Sequence, residues 1–251
     1  LAGVRVDPAH LAAYNKVCGL RLLDTLPLTY PFVLSFPTVM SLITSPEFPF
    51  PAIGSVHAEN TITQHRPISV SEPLGFRVRA DNLREHPKGM LVDVLTEARV
   101  GDELVWEQVT TFLRQQKTSL SGQPRKPAPE PAVPPPPTST LRVDQKIIDK
   151  YAAVSGDRNP IHVSSLGAKA FGFPGTIAHG MWSAAATLAS VEGRIPEKVT
   201  YAVRFGKPIV LPATVNVYAE QAEAGATGST AWELSLKHPK KGYPHLTATL
   251  S

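Results

Sequence analysis

Eight prolines fall within the fourteen residues from Pro124 to Pro137. A helix cannot run through such a stretch, because each proline removes an N–H donor and crowds the preceding turn, and a central strand cannot pair through it either. The segment favours extended polyproline II and predicts a semi-rigid linker over 121–140, with a ligand for a proline-recognition domain as the alternative. The chain is thereby divided near its middle. Its 251 residues, 42% of them hydrophobic, can bury a sizeable core as one large domain or two smaller ones. Uninterrupted apolar runs all fall short of the ~18 residues that cross a bilayer. The best candidate, 30–43, is broken by Pro31 and Pro37, so no transmembrane segment is expected.

Charge and cysteine narrow the classes further. The formal net charge is +4, with Lys and Arg scattered rather than in runs, so no nucleic-acid partner is expected. A weak positive bias also suits an anionic small ligand or carrier. The single Cys18 excludes an internal disulfide framework and fits a reducing, cytoplasmic compartment. The sequence begins on Leu1 rather than Met, which leaves a removed leader open.

The segments flanking the linker repeat the same order of elements. Each opens on an amphipathic helix, signalled by Asp7-Pro8 in the first half and by Asp144 ahead of Ile147, Ile148 and Tyr151 in the second. Alternating apolar segments follow: 75–80, 89–98 and 103–114 in the first, and 199–205, 214–220, 229–237 and 245–250 in the second. A finer echo sets His65-Arg66-Pro67-Ile68 against Gly206-Lys207-Pro208-Ile209. Together these predict a duplicated α+β unit of roughly 110 to 120 residues.

Chemistry concentrates in the second half. After Val154 the residues Ser155-Gly156-Asp157-Arg158-Asn159-Pro160-Ile161-His162 form a turn that gathers a carboxylate, an amide and an imidazole. Asp and Asn are also what any tight turn prefers, and a lone histidine is usually a satisfied one. A metal site is disfavoured, because Asp157 and His162 offer two ligands with no third at a recognised spacing. No nucleophile elbow or phosphate-cradling glycine loop is present, and Cys18 sits in the other half. Further on, Ala178-His179-Gly180 leads into a helix rich in small residues, predicted over 180–191 and stopped by Gly193. Gly180 in its first turn has an N–H without a partner inside the helix, suited to polarising a carbonyl oxygen.

The run from Ser155 to His162, followed about twenty residues on by Ala178-His179-Gly180-Met181, resembles the signature of MaoC-like dehydratases and (R)-specific enoyl-CoA hydratases. Resemblance is close over 144–211 and only architectural over the first half. It implies an α+β double hot-dog fold: two antiparallel sheets, each wrapping a helix, side by side as a pseudo-dimer. Within the family the chain is most similar to the bacterial 3-hydroxyacyl-thioester dehydratases, including the mycobacterial ones.

The resemblance also implies roles. Asp157 and His162 match the catalytic pair, Asn159 the amide that orients water, and Gly180 the N–H that receives the thioester carbonyl. Ser164 stands where the family commonly carries Asp or Asn, which puts the local hydrogen-bond network in doubt. The corresponding stretch of the first half, Gly19-Leu20-Arg21-Leu22-Leu23-Asp24, has neither the Asn-Pro nor the histidine, so one active site per chain is expected. The domain scheme is then a first hot-dog unit (1–120) without the motif that binds the acyl chain, the linker (121–140), and a catalytic unit (141–251). The expected reaction is reversible hydration of trans-2-enoyl thioesters, on CoA or acyl carrier protein, without metal or redox cofactor. Competing readings are an acyl thioesterase and a non-catalytic acyl-binding scaffold. The proline-punctuated stretch 26–53 lacks a clean helical period, and the expectation is that a looser wall replaces the first half's hot-dog helix there. Assembly as a monomer or a homodimer stays open.

Overall fold

The computed structural model of the chain describes residues 1–51, 54–122, 135–222 and 231–251. The first half forms α1 (Pro8–Cys18), α2 (Tyr30–Ile43), β1 (Ser55–Gln64), β2 (Gly75–His86), β3 (Gly89–Val100) and β4 (Glu103–Gln115). The second forms β5 (Ser139–Val143), α3 (Gln145–Ser155), α4 (Pro160–Val163), α5 (Ser165–Ala170), α6 (Gly180–Leu188), β6 (Val199–Phe205), β7 (Ala213–Ala222), β8 (Ala231–Lys237) and β9 (Pro244–Leu250).

Local chemistry sets the helix ends alike in both halves. The Asp7 carboxylate accepts from Ala9 N at 2.9 Å and caps α1; that of Asp144 accepts from Ile147 N at 3.0 Å and caps α3. At the other ends, Gly19 and Gly156 stop α1 and α3 with φ of 74° and 75°, where a Cβ would be strained.

All neighbouring strands pair antiparallel in one sheet, in the order β2-β3-β4-β1-β6-β9-β8-β7-β5. The two expected sheets therefore meet edge to edge, β1 on β6, with Glu59 opposite Arg204 and Gln64 opposite Val199. This is the double hot-dog arrangement. The apolar face of the sheet is covered by the helices. In α6 every residue from Met181 to Leu188 is buried, and three consecutive alanines let it lie close to the sheet. Tyr201 Oη on β6 donates to Ala184 O at 3.0 Å, and Trp182 Nε1 donates to Val17 O at 3.0 Å, tying α6 to the sheet and to α1.

The repeat extends to single hydrogen bonds. Leu26 N donates to Ile68 O at 2.8 Å and Ala178 N to Ile209 O at 2.9 Å, each just before the main helix of its half. The short echo in the sequence around Pro67 and Pro208 thus marks equivalent positions.

Several expectations need correction. The stretch 26–53 is not a loose wall: it contains α2, an ordered 14-residue helix with Pro37 inside it. Its apolar period is blurred because residues on several faces are buried, among them Tyr30, Phe32, Val33, Ser35 and Val39. Strand β1 went unread because its buried residues, Asn60, Ile62 and Gln64, are mostly polar. The turn after Asn159 holds two short helices, α4 and α5, in place of an open loop. Of the polyproline stretch, residues 123–134 lie outside the described residues, as do the first two of the strand expected over 229–237. Pro135 to Pro137 carry no regular structure and are exposed.

Candidate active site

Gly156 ends α3, and the chain then turns on its own side chains. Asp157 N donates to Ser155 Oγ at 3.2 Å, Asn159 N to Asp157 Oδ1 at 3.2 Å, and Ile161 N to Asn159 Oδ1 at 3.3 Å. The last bond caps α4, which Pro160 pre-sets. One oxygen each of Asp157 and Asn159 is thereby spent on backbone, leaving Asp157 Oδ2 and the Asn159 amide nitrogen for other partners. Ser164 answers the doubt about its position: its hydroxyl accepts from Gly167 N at 3.2 Å and caps α5.

α4 brings His162 into the protein, where it is 7% exposed. Its Nδ1 lies 2.8 Å from Ile177 O. A carbonyl accepts only, so Nδ1 carries the proton and Nε2 presents a lone pair. Nε2 faces Asp157 Oδ2 at 3.9 Å. That gap is too long for a direct bond, but two acceptors so spaced can share one water at ordinary ~2.8 Å distances. Burial lowers the His162 pKa, opposed by the Asp157 charge and by the Ile177 carbonyl.

His179, the residue before α6, was not assigned a role from the sequence. Its ring stacks on that of His162, with centroids 3.8 Å apart and planes at 27°. Its Nε2 donates to the Asp157 carbonyl at 2.9 Å. The adjacent Gly180 N–H makes no hydrogen bond among the described residues. A Cβ at Gly180 would stand 3.1 Å from Phe205 Cε1, so this N–H opens beside an aromatic wall. The four expected residues Asp157, Asn159, His162 and Gly180 are thus gathered where α3, α4 and α6 converge.

His57 is a second residue that sequence reasoning missed. A bulge in β1 between His57 and Glu59 shifts the register, and His57 then shares the inner face with Asn60, whose Nδ2 lies 3.3 Å from His57 Nε2. Its ring packs on Phe205 at 4.7 Å and Phe112 at 5.6 Å. The residue keeps some exposure, yet burial of the ring among these partners lowers its pKa to about 4, against the Asp157 charge. The first half therefore borders the site through His57. Among the described residues it carries no copy of the motif: behind Gly19, Leu20 occupies the place of Asp157 and is buried. Thr25, bridged to Ser69 as Ile177 is to Val210, follows only five positions later instead of twenty. The segment that carries His162 has no counterpart there.

Asp157, His162 and His179 bring three potential metal-ligand atoms within 4.8 Å of one another, and the third ligand missing from the sequence pattern is His179. The donor set fits a metal poorly. Rings stacked nearly parallel aim their in-plane lone pairs side by side, not at one point ~2.1 Å from each. The His179 Nε2 is moreover protonated toward Asp157 O. Cys18 is no nucleophile, because burial pushes its thiol up to about 12.

The family model described as the MaoC-like domain matches residues 126–236. Over 245 residues, 98% of this chain and 85% of the relative, the sequence is 54% identical to 3-hydroxyacyl-thioester dehydratase X of Mycobacterium tuberculosis. The crystal structure of HtdX from that organism, at 54% identity, superposes with a TM-score of 0.87 and covers 100% of this chain and 98% of its own. A MaoC-like dehydratase from Phytophthora capsici shares the fold at 19% identity, with a TM-score of 0.76 over 99% of this chain and 93% of that one. With the signature, the double hot-dog and near full-length identity in agreement, the chain belongs to the MaoC-like 3-hydroxyacyl-thioester dehydratase family.

Proposed function

We propose that the chain removes water from (R)-3-hydroxyacyl thioesters and, in reverse, hydrates trans-2-enoyl thioesters in fatty-acid metabolism. The observation that carries the reading is the lone pair of His162 Nε2 set 3.9 Å from Asp157 Oδ2, beside the unpaired Gly180 N–H. In hydration, a water held between Nε2 and Oδ2 gives a proton to His162 as its oxygen bonds to C3. Charge moves onto the thioester oxygen, which accepts from Gly180 N–H at the positive end of α6; losing such a donor typically costs ~3–4 kcal/mol in the barrier. His162 then returns the proton to C2 and is neutral again. Asp157 and the Asn159 amide orient the water. The proton balance closes within the site, and the reaction calls for no metal or redox cofactor.

The acyl chain is assigned to the first half (1–120), joined by the linker 121–140 to the catalytic unit 141–251. Supporting this, a groove of about 600 Å³ is lined by Val33, Leu34, Phe36 and Met40 of α2 and by 153–156 at the end of α3, with Arg5, Asp7 and His10 among its polar members. The thioester is carried on CoA or an acyl carrier protein. A single buried Cys18 suits the cytoplasm, and internal pairing of β1 with β6 suits a monomer or a dimer of such chains. Among the described residues no helix is long and apolar enough to cross a membrane. Incubation with crotonyl-CoA tests the reading: (R)-3-hydroxybutyryl-CoA is expected, whereas free CoA released from an acyl-CoA, or the (S) product, would overturn it.

A further inference from the structure

His179 has no place in the chemistry above, yet it touches Asp157 and His162 and directly precedes Gly180. Its main-chain oxygen accepts from Ser183 N and Ser183 Oγ, both at 3.1 Å, at the start of α6. Its Nε2–H holds the Asp157 carbonyl at 2.9 Å, and its ring lies flat on His162. On its other side is Tyr151, with ring centroids 5.0 Å apart. The residue is 2% exposed, and its Nδ1 is buried without a partner among the described residues. An unpaired buried acceptor costs stability, so packing alone does not account for a histidine here.

The duplication supplies an internal comparison. Leu26 and Ala178 make equivalent bonds to Ile68 and Ile209; the residue after Leu26 is Pro27 and the residue ahead of α2 is Thr29, so neither position that could answer to His179 holds a histidine. The half in which Leu20 replaces Asp157 has therefore also lost this histidine, while keeping its sheet and main helix. The architecture does not require an imidazole at the position.

We propose that His179 is a positioning residue of the dehydration site, fixing the Asp157 main chain to the start of α6 and offering its ring face to His162 when His162 takes up a proton. The inference rests on the roles given above to Asp157 and His162. A cation over a π face is stabilised most where water is absent, and the stack is buried. Burial, reinforced by His162, lowers the His179 pKa to about 4, so His179 stays neutral while its neighbour cycles.

Two substitutions separate the two contributions: His179→Gln keeps an N–H near Asp157 O and loses the stacked ring, and His179→Phe keeps the ring and loses the donor. With crotonyl-CoA, both variants are expected to lower kcat at least tenfold while KM stays within threefold and Tm within a few degrees. Adding His179→Gln to Asp157→Asn is expected to add little to the loss that Asp157→Asn causes alone, because His179 acts through that residue. The proposal is overturned by wild-type kcat in both variants, by a rise in KM at constant kcat, by losses that multiply in the double variant, or by a fall in activity matched by a collapse of Tm. A wild type that does not hydrate crotonyl-CoA would defeat the dehydratase reading itself, and this inference with it.

Discussion

Replacing Gly180 by alanine tests where the thioester carbonyl sits. The backbone there is helical, so alanine is conformationally welcome and favoured by up to ~1 kcal/mol in a helix. The new methyl group, however, would lie 3.1, 3.2 and 3.4 Å from Cε1, Cζ and Cδ1 of Phe205. Ordinary carbon contacts are ~3.5–4.0 Å, so the ring or the helix start must give by about 0.5 Å. Phe205 cannot simply withdraw, because His57 packs on it with centroids 4.7 Å apart. A ~1 Å misplacement of reacting groups costs on the order of a hundredfold in rate, so half of that is about tenfold. Gly180→Ala is therefore expected to lose about tenfold in kcat/KM on crotonyl-CoA, with Tm lowered by a few degrees at most, because the helix gain offsets part of the crowding. Since the N–H survives the substitution, the loss is steric, and trimming the wall in Gly180→Ala/Phe205→Leu should recover much of it. Wild-type kcat/KM in Gly180→Ala, or a double variant no better than the single one, would refute the assignment of the carbonyl to this gap.

Two further expectations concern pH and chain length. Burial lowers the His162 pKa, and the base must be neutral, so activity should persist as pH falls past 6.5 and decline only below it. An acid limb of kcat/KM at or above pH 6.5 would contradict that sign. If the groove along α2 takes the acyl chain, Leu34→Trp should cut turnover of long-chain enoyl-CoA at least tenfold and leave crotonyl-CoA within twofold; equal losses on both would remove the groove from the account.

What could be read from the chain depended on how each position encodes its environment. The helices α1 and α3 carry capping aspartates and a glycine stop, and most strands alternate, so both were legible. α6 was found from its small residues, but it ends at Leu188, with a 3-10 turn over Ala189–Val191 in place of the helix expected as far as 191. α2 was not, because burial on several sides erases the period on which a helix is recognised, and its prolines mimic a loop. β1 was hidden by Asn60 and Gln64 on its inner face. In the site, Asp157, Asn159, His162 and Gly180 lie in two short motifs and were found together. His57 lies in the other half on a bulged strand, which only the pairing register reveals. His179 stood in plain view beside Gly180, but its meaning is tertiary: a stack on His162 and a bond to a main-chain oxygen leave no trace in spacing. The same limit applies to the potential third metal ligand, where chain separation hid a proximity whose ring geometry is unsuited to an ion.

The central claim is that Asp157 and His162 together perform the hydration. Loss of the enoyl absorbance of crotonyl-CoA, followed for the wild type, Asp157→Asn and His162→Gln at matched folded concentration, tests it most directly. Rapid loss is expected with the wild type and a fall of at least a hundredfold in either variant, since each removes one of the two groups that hold the water. Equal rates in all three proteins would contradict it.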